Sequence, residues 1–163
     1  MKVSLEPVEW IDKNYATMMN YSYRDQFKPE AFRNILNAYR LFLPLLFKKL
    51  DLDRNTLHLV GRGLSGTVFV LPLAMKLKTQ ATIVRKKTES SHSETNLEYS
   101  DSEGPRGAPW IFIDDCISSG ATRDACIDAI GSEPVAIVLW GTQGFGKPYR
   151  GLYLLSQHVS MED

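Results

Sequence analysis

The stretch Trp110-Ile111-Phe112-Ile113-Asp114-Asp115-Cys116-Ile117-Ser118-Ser119-Gly120-Ala121-Thr122 joins an apolar run, an acidic pair and a Ser/Gly turn within one short segment. Trp110–Ile113 has no polar residue at alternate positions, so it reads as a strand buried on both faces. The Ser/Gly turn leads into a predicted helix over Thr122–Ile130, which Gly131 closes. Strand, turn and helix in this order are half of a βαβ unit, and the same pattern recurs on both sides. Upstream, Thr56–Val60 reads as a strand, Gly61–Gly66 as a glycine-punctuated loop, Thr67–Leu77 as a helix and Ala81–Arg85 as a second strand; downstream, Pro134–Trp140 is a fourth. Nearly continuous apolar strands separated by helices predict an α/β fold with a largely parallel central sheet flanked by helices.

Further out the pattern weakens. Phe32, Ile35, Leu36, Tyr39 and Leu43 follow helical spacing within Pro29–Leu50, with Pro29 suited to a first turn and a kink or break expected at Pro44. Residues 1–28 read as an N-terminal cap, and Leu152–Leu155 as a last edge strand. The expected organisation is one domain over 1–163. Its cap and helix occupy 1–50 and its core 56–140, with a C-terminal hood or edge over 141–163. The segment 86–108 is rich in serine, glutamate and aspartate. A connection of that length without structure inside a compact domain is expected to be a mobile lid or a surface insertion.

With 163 residues, 44% of them hydrophobic and 23% charged, the chain can build a core without staples. Nineteen basic and nineteen acidic residues leave no net field to draw it onto nucleic acid or an anionic membrane. Any anion must be gripped locally. Cys116 and Cys126, the only cysteines, make neither a disulfide framework nor a thiolate zinc site, so reduced thiols and a cytoplasmic setting are expected. Glu6 and Glu9 interrupt the N-terminus before a secretory signal can form, and Leu41–Phe47 is far too short to span a bilayer.

Chemistry concentrates after the strand. Exposed amides at a helix start, reinforced by hydroxyls, favour a phosphate at Ser118, Ser119, Gly120, Ala121 and Thr122. Asp114 and Asp115 would repel that phosphate unless they face a polyol or a metal. A ribose 5-phosphate meets both demands, its hydroxyls donating to carboxylates and its phosphate sitting at the helix end. The plainer reading is that the aspartates end a strand and Ser119 or Thr122 caps a helix.

These thirteen residues resemble the signature of the type I phosphoribosyltransferases: hydrophobic strand, acidic pair, then a Ser/Thr-Gly-x-Thr loop. The resemblance implies that fold, with a small hood built from the termini, and transfer of ribose 5-phosphate from phosphoribosyl pyrophosphate to a nitrogenous base. It implies ribose binding by Asp114 and Asp115, with a weaker expectation that they hold Mg²⁺, and 5-phosphate binding by Ser118 to Thr122. The family's earlier pyrophosphate loop corresponds to Arg62, Gly63, Leu64, Ser65 and Gly66. The basic approach to its lid corresponds to Arg85, Lys86, Lys87 and His92, with Lys86 and Lys87 beside the departing pyrophosphate. Trp140, Phe145 and Tyr149 are weaker candidates for stacking on the base, since aromatics at a sheet end are more often core. A homodimer is expected, and no nucleic-acid or membrane partner.

Two rivals compete. Glu89 stands where orotate enzymes carry a loop lysine, which points to a non-catalytic sensor or regulator that keeps the sugar-phosphate pocket, and Ser118 stands where purine-salvage members carry an acid, which speaks against a hypoxanthine or guanine acceptor. Gly61-x-Gly63-x-x-Gly66, with Arg85 about 20 residues on, also matches the fingerprint of an NADP-binding Rossmann protein, and the plain reading of its glycines is tight helix–strand packing. His58, inside a strand, is expected to be a hydrogen-bonded core histidine.

Overall fold

The computed structural model describes residues 2–10, 28–86, 95–117, 119–142, 148–155 and 159–160. Its elements in chain order are β1 (Lys2–Val3), β2 (Val8–Trp10), α1 (Pro29–Lys49), β3 (His58–Arg62), α2 (Gly63–Leu77), β4 (Gln80–Val84), β5 (Leu97–Tyr99), β6 (Trp110–Ile117), α3 (Ala121–Ile130), β7 (Ala136–Thr142), β8 (Pro148–Leu154) and β9 (Val159–Ser160). Seven strands form one sheet in the order β2-β8-β7-β6-β3-β4-β5, while β1 and β9 pair separately and tie the two ends of the chain together. The five central strands β4, β3, β6, β7 and β8 are mutually parallel, and antiparallel β2 and β5 close the two edges.

Each face of the sheet carries its own core. On one, α1 and α2 press Tyr39, Phe42, Leu46, Phe69 and Leu73 onto Leu59, Ile111, Ile113 and Val138. On the other, Cys126 and Ile130 of α3 pack with Val60, Phe112, Ile137 and Leu139. Successive strand residues therefore enter opposite cores, which is why these strands show no polar alternation.

Several boundaries differ from the sequence reading. α1 runs unbroken through Pro44, its buried side Ile35, Tyr39, Phe42, Leu43 and Leu46 holding both halves against the sheet. β6 does not stop at Ile113 but continues through the acidic pair to Ile117. Residues 63–66 are the first turn of α2 rather than loop. The strand expected at the C-terminal edge is β8, which is internal, pairing β7 on one side and β2 on the other.

The 86–108 segment is structured over 95–108. Leu97 is buried, β5 pairs with β4, and the Arg85 amide donates to the Asn96 carbonyl at 2.8 Å while the Ser100 amide donates to that of Ala81 at 3.0 Å. An apolar anchor and paired backbone make this part an edge of the sheet rather than a free lid; 87–94 lie outside the described residues. No helix of the described residues is long and apolar enough to cross a membrane.

Candidate functional site

The five parallel strands, counted by their position in the chain, lie in the order 2-1-3-4-5. The order reverses between β3 and β6, because the helix after β3 covers one face and the helix after β6 the other. Open α/β sheets bind ligands in the crevice beyond the carboxyl ends of the strands flanking such a switch point. The segments that leave β3 and β6 here are Arg62–Gly66 and Asp114–Thr122, the two singled out from sequence. The Rossmann order 3-2-1-4-5-6 is not the one observed.

Two glycines make this corner compact. A side chain on Gly61 would begin 2.8 Å from the backbone of Gly66, and one on Gly66 would begin 2.8 Å from Gly61, so α2 starts in direct backbone contact with β3. The packing reading of these glycines is therefore correct for this pair. Gly63 makes the turn from strand to helix at a φ of +64°, and Lys86 lies against it, with Cε 2.8 Å and Nζ 3.2 Å from where a Cβ would stand. The positive φ is what favours glycine here, since the lysine tip can swing aside for a larger residue. Leu64 is exposed, and the Ser65 hydroxyl donates to the Asp114 carboxylate.

Asp114 and Asp115 are both nearly covered, at 4% and 7% exposure. Asp114 accepts the amide of Asp115 at 2.9 Å. Burial, and after it the hydrogen bond and charge of the Asp115 carboxyl, push the Asp114 carboxyl well above the usual carboxylate range, against the downward pull of the Asp115 amide and Ser65.

In the following turn Ser119 is exposed and its Oγ accepts the Ala121 amide at 3.3 Å; Gly120, at φ +82°, supplies the left-handed bend before α3. Thr122 is half-buried in the first turn of α3. Ser118 lies outside the described residues.

The remaining predicted residues divide. Arg62 turns to the α3 side of the sheet, where its charge acts on the Cys126 thiol; its Nε is buried without a hydrogen-bond partner. Burial nonetheless pushes that thiol up to about 12, so Cys126 is an inert core residue. Arg85 is taken up by β5, its Nε 3.1 Å from Glu98 Oε1 and its guanidinium also donating to the Thr95 carbonyl. It acts as a clip across the β4–β5 edge. Trp140 packs partly buried against the α1 side of the core. Lys87, His92 and Phe145 lie outside the described residues, and of Tyr149 only its backbone place in β8 is described.

Two arrangements escaped the sequence. Tyr39, fully buried in α1, reaches the carbonyl of Asp114 with its hydroxyl, across 75 residues. His58 is a fully bonded core histidine, as expected, but its partners were not foreseen: Nδ1 meets Thr82 Oγ1 at 2.9 Å and Nε2 meets Asp101 Oδ2 at 3.2 Å. Only the helical spacing marked Tyr39 as inward-facing, and nothing marked the hydroxyl.

No protein-family model matches the chain, and no curated protein matches it. Solved structures do. Adenine phosphoribosyltransferase from Saccharomyces cerevisiae, complexed with D-2,5-dideoxy-2,5-imino-altritol 1,6-bisphosphate and adenine, is 19% identical; the likeness covers 78% of this chain and 80% of that one, with a TM-score of 0.55. Adenine phosphoribosyltransferase from Trypanosoma brucei, in complex with AMP, pyrophosphate and ribose-5-phosphate, is 17% identical over 80% of this chain and 62% of that one, with a TM-score of 0.50. At such identities the likeness concerns architecture: the chain has an α/β fold resembling that of the type I phosphoribosyltransferases.

Proposed function

We propose that the chain is a phosphoribosyltransferase that transfers ribose 5-phosphate from phosphoribosyl pyrophosphate to a nitrogenous base and releases pyrophosphate. The observation that carries this reading is the meeting of three separate segments at the switch point: Ser65 of the first turn of α2 bonds Asp114 of β6, while Lys86 beyond β4 lies on Gly63. A phosphate-binding turn, a diol-binding acidic pair and a cation beside a second amide-rich turn are the parts needed to hold a sugar carrying phosphate at both ends.

In the reaction the bond from ribose C1 to the pyrophosphate oxygen breaks and a bond from C1 to a base nitrogen forms. The acidic pair orients the ribose through its hydroxyls and lends negative charge near a carbon that becomes cationic. The Gly63–Gly66 amides and Lys86 stabilise the departing pyrophosphate. Asp114 and Asp115 offer hard oxygen donors suited to Mg²⁺. Among the described residues no three His, Cys, Asp or Glu side chains cluster as a metal cage, so the ion would complete its shell from substrate phosphates and water. When bound, it neutralises charge on the pyrophosphate.

A second reading, a sensor that binds the sugar phosphate without turning it over, is favoured by one observation: Arg85 is engaged by Glu98 and Thr95, which removes a cation from the leaving-group side. Calorimetric titration with phosphoribosyl pyrophosphate and Mg²⁺, followed by a pyrophosphate-release assay across a panel of purine and pyrimidine bases, separates the two. Binding with release on at least one base supports the transferase, binding without release on any base supports the sensor, and absence of binding overturns both.

A further inference from the structure

We propose that Tyr39 is the positioning residue of the acidic pair, so that discrimination between ribose and deoxyribose depends on a phenol in α1 that never touches the ligand. This rests on the sugar-binding reading above and extends it to a residue outside the signature. Tyr39 is fully buried, and its ring packs on Phe69 of α2 with centroids 5.8 Å apart. Its hydroxyl meets the β6–β7 ladder where Asp114 stands opposite Leu139. There it bonds the Asp114 carbonyl, lies 3.2 Å from the Val138 carbonyl and receives the backbone amide of Trp140.

One hydroxyl therefore fixes the backbone of the first acidic residue and that of Trp140 on the neighbouring strand. The neighbourhood makes the bond consequential. β6 stops pairing with β3 after Phe112, so beyond that point the acidic pair is held from the β7 side, by Ser65 on the Asp114 carboxylate and by Tyr39 on the Asp114 carbonyl. Removing the hydroxyl takes a buried donor from the Asp114 carbonyl, which loosens the strand at the residue whose carboxyl must meet the sugar diol.

The proposal is tested with Tyr39→Phe, an isosteric change within a packed core, alongside Tyr153→Phe, which removes the hydroxyl of another tyrosine packed in the same core. The probes are ribose 5-phosphate and 2-deoxyribose 5-phosphate, with dissociation constants for both measured on each protein. Tyr39→Phe is expected to weaken ribose 5-phosphate about tenfold and to weaken 2-deoxyribose 5-phosphate, which offers the acidic pair one hydroxyl instead of two, by less. Tyr153→Phe should change neither ratio nor affinity. Amide chemical shifts of Asp115 and Trp140 should move in the unliganded Tyr39→Phe protein while the fold persists.

Equal weakening of both sugars, or an unchanged ratio with wild-type affinity, overturns the positioning role while the sugar-binding reading stands. If Tyr39→Phe fails to fold, Tyr39→Trp and Tyr39→His, which retain a buried donor, decide the matter: a ribose preference restored by neither overturns the proposal. A wild-type protein that binds neither sugar phosphate overturns the sugar-binding reading, and this inference with it.

Discussion

The two ends of the parallel strands solve opposite problems. At the amino-terminal end of β3 and β4, buried His58 has Thr82 on one nitrogen and Asp101 on the other, and Gln80 is tied to Asn55 and Ser100. A donor meets an acceptor at each of these side chains, while the neighbouring Thr79 hydroxyl is buried without a hydrogen bond. At the carboxyl end of β3 and β6, two carboxyls are covered together and a buried guanidinium nitrogen of Arg62 is left without a hydrogen bond. Arrangements of the second kind cost stability, and they are retained where the uncompensated groups await something else. One end of the strands holds the fold together; on the proposed function, the other holds charge for a ligand.

The largest expected effect comes from the charged edge. Asp115→Asn should lower affinity for ribose 5-phosphate by about a hundredfold, roughly 2.7 kcal/mol, read by calorimetry. Asp114→Asn should do the same and in addition stabilise the protein at neutral pH. The Asp114 carboxyl titrates above its unfolded value, so its folded form is favoured below the unfolded pKa and penalised as pH rises through the raised one. The asparagine removes that penalty, and a rise in Tm of about 2–4 °C at pH 7.5, absent at pH 4, is the expected signature. A fall in Tm at pH 7.5 would mean that the pair stabilises the fold.

The paired edge should behave in reverse. His58→Ala leaves the buried Thr82 hydroxyl and the Asp101 carboxylate without their partner and opens a cavity at the sheet edge, with an expected cost of about 2–3 kcal/mol. Its affinity for sugar phosphate should not change. A loss of binding comparable to that of Asp115→Asn would erase the distinction between the two edges.

Gly66→Ala sharpens the comparison by touching structure and site together. The new methyl would sit 2.8 Å from Gly61 backbone atoms, so α2 must lift off β3. An overpacking cost of about 1–3 kcal/mol is expected, accompanied by weaker sugar-phosphate binding as Ser65 leaves Asp114. Wild-type stability and binding in this variant would show the contact to be slack.

The smallest effect is the pH slope of the paired edge. Burial lowers the His58 pKa from its usual 6.5, with the charge and hydrogen bond of Asp101 opposing it. The unfolded chain therefore takes up a proton that the folded one refuses, and this contribution to stability, intact above pH 6.5, is lost as pH falls below that value. A shallower slope of Tm against pH below about 6.5 in His58→Gln than in the wild type is the test.

Much of this was legible in the sequence because the central strands are buried on both faces. Continuous runs such as Trp110–Ile113 and Pro134–Trp140 admit little else, and intervening helices then impose a parallel sheet. The acidic pair and the glycine turn stood out because charges and glycines interrupt an apolar run, although the two aspartates stay within β6 and nearly covered instead of leaving it. What failed depended on contacts distant in sequence. Pro44 does not break α1, because the sheet holds both halves. β6 carries on past Ile113, because the pairing of β7 extends to Ile117. Leu97 gives structure to a segment whose composition reads as loop, and Arg85, expected to face pyrophosphate, is taken by Glu98 of the strand that Leu97 anchors. The hydroxyl of Tyr39 could not be found from spacing, which reveals an inward face but not what lies beyond it.

The most direct test of the central claim is calorimetric titration of ribose 5-phosphate into the wild-type protein and into Asp114→Asn at pH 7.5. A measurable affinity in the wild type that disappears in a variant with an equal or higher Tm is the expected result. Binding that survives the substitution, or a wild-type protein that gives no heat with the sugar phosphate, would contradict it.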